Sequence, residues 1–394
     1  DESSPGSAGN FMYWLALRML VGDPVKYLGI LFGVTFATLL MSQQVAIFTS
    51  LLRRTASQIL DVRDADIWVM DKVTRFIDEA PTLPDQDLYR IRSVPGVASA
   101  VRAVYSQLGA RMPHGGYRTV ILMGLDDSSL TGAPTGFIAG SIERLREPDA
   151  VVVDKAGYTY LFPGEPVAVD KVFEMNDRRA KIVGVCEASQ PFTTLPVLFA
   201  RYSQAAHYLP PRRNLMNYIL VRAEPGMDKA EVCRAIEVAS ETGTRPLAAL
   251  TRDQFAKKTI QYYMEFTGIP VNFGITITLG FIVGLAITGQ TFYLFVTENI
   301  RQFGALKAMG VDNGTLVRMI LLQGFVAGST GYGLGVGLAA SFFEATAHVP
   351  ALEGFGMFPG LLAGIGATVM AIVVLASLLS IRKVLVLEPA MVFR

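Results

Sequence analysis

Cysteine and histidine are almost missing from this chain: Cys186, Cys233, His114, His207 and His348 are all that its 394 residues hold. Two cysteines far apart exclude a disulfide-dense scaffold and a four-cysteine zinc site. They leave one bridge, if their domain lies outside the cytoplasm, or two separate thiols, which is the reading we favour. No two histidines fall at ligand spacing, so solvated or hydrogen-bonded imidazoles are expected rather than metal ligands. An excess of charge is missing too. The 35 basic and 34 acidic residues leave a net charge of +1, so no global field draws the chain onto nucleic acid, and none is expected as a partner. No G-x-x-x-x-G-K-[ST] loop is present to cradle phosphates, so the chain is not expected to hydrolyse ATP by itself. A G-x-S-x-G nucleophile elbow is also absent, and Asp126-Asp127-Ser128-Ser129 reads as a turn or cap after a strand rather than as paired catalytic carboxylates. No catalytic site, metal or cofactor is therefore expected in this chain.

What the sequence has in quantity is apolar residues. At 51% hydrophobic and a mean hydropathy of +0.38 it is too apolar for an ordinary soluble protein, while 18% charged residues are too many for a wholly membrane-embedded one. Four stretches are long and apolar enough to span a bilayer as helices: 27–49, 269–296, 316–342 and 358–381. Residues 1–10 read as a disordered leader or tag, and 11–26 as an amphipathic helix lying in the interface before Asp23-Pro24 turns the chain inward. The apolar run from Tyr27 is too long for a cleavable signal and should stay in the membrane.

Lys and Arg flank these spans unevenly. Arg18 and Lys26 precede the first, Arg301, Lys307 and Arg318 lie around the connection of the second to the third, and Arg382, Lys383 and Arg394 follow the fourth. The connection 343–357 has neither residue. By the positive-inside rule both termini (the tail is 382–394) and the segment 297–315 are cytoplasmic, and 343–357 is a periplasmic loop. The insertion 50–268 is then extracytoplasmic, and is long enough for its own core. Short β-rich runs such as 65–70, 119–125, 151–153, 181–185, 196–199 and 217–221 alternate there with helical patterns near 83–93, 227–237 and 251–266. The expected fold class is thus a membrane protein with four transmembrane α-helices and a large α+β periplasmic domain between the first and the second. If the helix 251–266 continued through Gly268 and Pro270 with a kink, it would be a stiff lever into the membrane.

The spans lack charge at their centres, which argues against a proton relay or a path for a charged substrate. Ser42, Gln43, Gln44, Thr288, Gln290 and Thr291 are expected to hydrogen-bond between helices. Gly324, Gly328, Gly331 and Gly335, with Gly333 and Gly337, give the third span small-residue spacing for tight packing or for gating.

Between the second and third spans lies a polar, basic, helix-prone segment, Glu298-Asn299-Ile300-Arg301-Gln302-Phe303-Gly304-Ala305-Leu306-Lys307-Ala308-Met309-Gly310. It resembles the E-x-x-R-E-I-G-x-L-x-A-L-G segment of the MacB/FtsX superfamily of ABC transporter permeases, with Gln302 where an acid is usual and Phe303 where Ile is. The end of the chain, from Arg382 to Met391 with Glu388-Pro389-Ala390, is similar to the superfamily's terminal pattern, and Ser93-Val94-Pro95-Gly96-Val97 to its I-P-G-V turn. The layout is most similar to that of DevC-type permeases. The resemblance implies a bacterial inner-membrane homodimer bound to separate ABC ATPase subunits that hold ATP and Mg, and a non-catalytic role for this chain. It implies mechanotransmission, in which ATPase closure moves the external domains, in export of a lipid-like or hydrophobic compound with a periplasmic adaptor. FtsX-type signalling to a periplasmic enzyme and lipoprotein extraction are the alternatives. Glu298, Arg301, Gln302, Phe303, Gly304, Leu306, Lys307, Met309 and Gly310 become the expected ATPase-coupling residues. Arg301 and Lys307 would supply rim charge, while Ile300, Phe303, Leu306 and Met309 would pack on the partner and the bundle.

Overall fold

The computed structural model describes residues 5–211, 216–241, 243, 245–349, 352 and 354–385. The terminal Glu388-Pro389-Ala390 pattern, with the rest of 386–394, lies outside the described residues. The chain forms two units, one made of 1–50 with 268–394 and the other of 51–267.

The membrane unit holds α1 (Pro5–Gly22), α2 (Pro24–Thr55), α9 (Ile269–Glu298), α10 (Ile300–Ala308), α11 (Asn313–Ala345) and α12 (Pro359–Leu385). Of these α2, α9, α11 and α12 are long and apolar enough to cross a membrane. The stretch read as a leader is helical from Pro5 onward, and α1 ends at Gly22, so residues 24–26 belong to α2. Ala16 and Leu20 of α1 are fully buried, and the Gln323 amide of α11 donates to the Ala16 carbonyl at 2.8 Å. One face of α1 is therefore packed on the bundle while Phe11 and Trp14 stay exposed on the other. Several polar groups in the spans bond within their own helix rather than across. The Thr291 hydroxyl donates to Ile287 O at 2.8 Å and Thr38 to Val34 O at 2.7 Å, an i−4 bond that a hydroxyl reaches more easily than a neighbouring helix.

Glycine sets how closely α11 meets its neighbours. A Cβ at Gly324 or Gly328 would lie 2.7 Å from Ser377 Oγ and 2.8 Å from Val373 of α12, and one at Gly331 or Gly335 would lie 2.7 Å from Val34 and 2.5 Å from Thr38 of α2. The first pair thus admits α12 and the second α2, whereas Gly333 and Gly337 have nothing within 4 Å of such a Cβ.

The external unit comprises α3 (Ser57–Asp61), β1 (Ile67–Asp71), α4 (Asp85–Arg92), β2 (Val97–Arg111), β3 (Tyr117–Leu125), β4 (Phe137–Gly140), β5 (Ala150–Asp154), α5 (Lys155–Leu161), β6 (Val172–Met175), β7 (Arg178–Cys186), β8 (Val197–Arg201), α6 (Tyr202–Tyr208), β9 (Tyr218–Ala223), α7 (Lys229–Ser240), β10 (Leu247–Thr251) and α8 (Arg252–Phe266). The strands run in the order β10-β1-β9-β2-β3-β8-β5-β7-β4, with β6 on β2 and β7. Strand β2, 15 residues long, joins the two halves: residues 97–103 pair with β9 and 104–111 with β3. At that handover the Asn217 side chain accepts from Tyr105 N at 2.9 Å and donates to Tyr105 O at 2.7 Å, satisfying backbone groups that have passed beyond the end of β9. Trp68 of β1 is fully buried against Tyr218, edge-on at 5.2 Å between ring centroids, and Phe255 at 5.6 Å. Cys186 and Cys233 are free and buried, and burial pushes their thiols up to about 12 and about 11.

Thr251 and Gln254 form a capping box that starts α8. The helix ends at Phe266, Thr267 is extended (φ −120°, ψ 156°), and α9 starts afresh at Ile269 with Pro270 in its first turn. The kinked continuous lever through Gly268 and Pro270 is therefore not formed. The residue before Gly268 leaves the helical region, and Pro270 sits where a missing N–H costs no helix bond.

Candidate coupling site

A nine-residue helix this short needs explicit start and stop signals, and α10 has both. Asn299 leaves α9 in a non-helical conformation and turns its amide back to donate to Phe295 O at 2.8 Å. At the far end Gly310 takes φ +93°, Val311 N donates to Leu306 O and Gly310 N to Lys307 O, both at 3.1 Å. This is a Schellman stop, and its left-handed residue explains why glycine occupies that position. Two residues on, Asp312 caps α11 by accepting from Thr315 N at 3.1 Å and from the Thr315 hydroxyl, which holds its carboxyl below the usual carboxylate range.

Packing on the bundle sorts the side chains of α10 and its C-cap, Met309. Phe303, Gly304 and Leu306 are buried in the membrane unit, whereas Arg301, Gln302 and Met309 are exposed, Met309 by 72%. Of the apolar residues expected to face both bundle and partner, Phe303 and Leu306 thus belong to the bundle and Met309 to the outer surface. Gly304 is covered, so it lies on the packed side of the helix. Lys307 does not stand as a free rim charge, because its ammonium donates to Leu385 O of α12 at 3.0 Å.

Glu298, the last residue of α9, is paired with Lys26 of α2, which is also paired with Asp23 in the turn between α1 and α2. The Lys26 ammonium holds the Asp23 carboxyl below its ordinary range. On the other side Lys383 of α12 donates to Tyr293 Oη at 2.7 Å and to Thr297 Oγ1 at 3.3 Å, and lies 4.5 Å from the Tyr293 ring centre. Sequence reading missed Lys26, Asp23, Tyr293 and Lys383, which lie outside the docking segment and brace it on the bundle. Lys26 and Lys383 were visible only as orienting charges, since nothing in the chain's order brings residue 26 to residue 298. In the external unit, Asp126 accepts from the backbone and hydroxyl groups of Ser128 and Ser129, which makes Asp126-Asp127-Ser128-Ser129 a turn.

Comparison with known proteins adds two family matches. Residues 27–239 match the MacB-like periplasmic core domain, and residues 274–389 match the FtsX-like permease C-terminal domain. Similar solved structures include the periplasmic region of MacB from Actinobacillus actinomycetemcomitans, 15% identical, covering 53% of this chain and 96% of that one with a TM-score of 0.39. Another is the extracellular domain of the noncanonic ABC-type transporter YknZ from Gram-positive bacteria, 13% identical, covering 48% and 98% with a TM-score of 0.37. No curated protein matches the chain.

Proposed function

Since the chain belongs to the MacB/FtsX family of ABC transporter permeases, we propose that it is the membrane subunit of an ATP-driven exporter built on the DevC-like plan. Members of this family work with a separate ATPase subunit. In this reading the permease pairs with a second copy of itself and with two such subunits, which hold ATP and Mg, and it supplies no catalytic group of its own. Both termini and α10 face the cytoplasm of a bacterial inner membrane, and the external unit faces the periplasm. Closure of the ATPases pushes on α10, the push reaches the external unit as mechanotransmission, and a lipid-like or hydrophobic compound is passed to a periplasmic adaptor.

The observation that carries this reading is α10. It is a short helix with its own stop, glued to the bundle by Phe303 and Leu306 and presenting Arg301, Gln302 and Met309 outward. An apolar anchor beside polar rim groups suits docking into a partner groove, and the buried pair gives the helix a firm backing through which to pass force. Met309→Glu tests it. The side chain is exposed, so folding and membrane insertion should be unchanged, while a carboxylate placed in an apolar docking groove should abolish co-purification with the ATPase. Wild-type co-purification would sink the assignment. Stimulation of ATP hydrolysis by added lipids in the reconstituted complex tests the substrate class.

A further inference from the structure

Among the described residues, the α9–α10 junction is tied to α2 through charge by the Lys26–Glu298 pair, with Asp23 as the second anion on Lys26. Glu298 is thereby tied to the bundle while its side chain stays about half exposed. Opposite it, Lys383 and Lys307 tie the same segment to α12. The two sides lead to different places. Helices α11 and α12 lie wholly within the membrane unit. Helix α2 runs unbroken from Pro24 to Thr55, and its residues 51–55 already belong to the external unit. Helix α9 also leads there, but Gly268 and the extended residue Thr267 separate it from α8.

An unbroken helix carries axial displacement along its ladder of hydrogen bonds. An extended residue between two helices instead absorbs it as a change of φ and ψ, which is how hinges work. We infer that Lys26 and Glu298 are positioning residues that pass movement of α10 directly to α2, making α2 the rigid route into the external unit and Thr267-Gly268 a joint that lets α9 follow. The inference rests on the reading of α10 as the helix that docks the ATPase.

The test uses the full-length permease purified with its ATPase in nanodiscs, with co-purification, ATP hydrolysis and amide hydrogen exchange over residues 51–61 recorded with and without ATP. The wild-type complex should show an ATP-dependent change in exchange. Lys26→Gln should co-purify and hydrolyse ATP, yet lose about fivefold or more of that change, the lower end of coupling between distinct sites. Lys26→Arg should retain the change, and the charge swap Lys26→Glu with Glu298→Lys should restore it, a rescue that a general folding defect would not give. A full response in Lys26→Gln overturns the inference, as does a swap as silent as the single variant. Failure of the wild-type chain to bind an ATPase overturns the docking reading and this inference with it, and is seen in the separate co-purification readout.

Discussion

Replacing Gly335 by alanine adds a single methyl group to α11 at the point where α2 crosses closest. The added carbon would sit 2.5 Å from Thr38 Cβ and 2.8 Å from the Thr35 carbonyl oxygen, where ordinary contacts are about 3.5–4.0 Å. The carbonyl is backbone and cannot rotate away, so the helices must separate by roughly 1 Å. Overpacking of this kind costs about 1–3 kcal/mol. The same change at Gly337, one half-turn away, meets nothing within 4 Å and removes a flexible residue from a helix, which stabilises by about 0.5–1 kcal/mol. The two variants share the gain from removing a helix glycine and differ only in what faces them, so the expected gap between them is the overpacking cost, about 1–3 kcal/mol. Equilibrium unfolding of the full-length protein in mixed micelles, dilute enough to keep it monomeric, measures both. A Gly335→Ala variant no less stable than Gly337→Ala would refute the close approach of α2 and α11.

Trp68→Ala should cost about 3–5 kcal/mol in thermal unfolding followed by circular dichroism, because it empties a fully buried site between Tyr218 and Phe255. Trp68→Phe should cost clearly less, since the buried indole N–H has no hydrogen-bond partner to lose. Glu147 is held at about 2, from an ordinary 4.5, by hydrogen bonds from Arg144 and Lys181. A folded value below the unfolded one means that its stabilising effect is complete above about pH 4.5 and disappears as pH falls towards 2, so melting temperatures of wild type and Glu147→Gln should converge over that window. Maleimide should label neither Cys186 nor Cys233 in the native protein at pH 7 and both after denaturation, because each is buried with a raised thiol; rapid native labelling would contradict the packing around β7 and α7.

What the chain's order determined is whatever repeats or punctuates locally. Runs of about 20 apolar residues are enough to specify α2, α9, α11 and α12, because a bilayer-spanning helix satisfies its own backbone and needs no knowledge of its neighbours. The helix between the second and third spans was legible for the same reason. Its stop is local, written in Gly310, and its composition sets it apart from both flanks. Alternating β-rich and helical stretches likewise announced a mixed external domain, and two lone cysteines far apart were read as separate thiols, which is how they stand.

Tertiary structure decided everything that depends on which distant residues meet. Strand β2 divides its length between β9 and β3, a choice made by pairings more than 100 residues apart for β9 and by a hairpin for β3, and no periodicity encodes it. The glycines of α11 spell tight packing in sequence, but only the fold assigns Gly324 and Gly328 to α12, Gly331 and Gly335 to α2, and leaves Gly333 and Gly337 open. Around α10 the apolar residues look alike on paper, yet Phe303 and Leu306 are buried while Met309, which follows the last helical residue, is exposed, because packing and the helix stop rather than composition decide which of them is covered. Lys26 carried a sign that orients a span. Its pairing with Glu298, 272 residues later, exists only because folding brings the start of α2 against the end of α9.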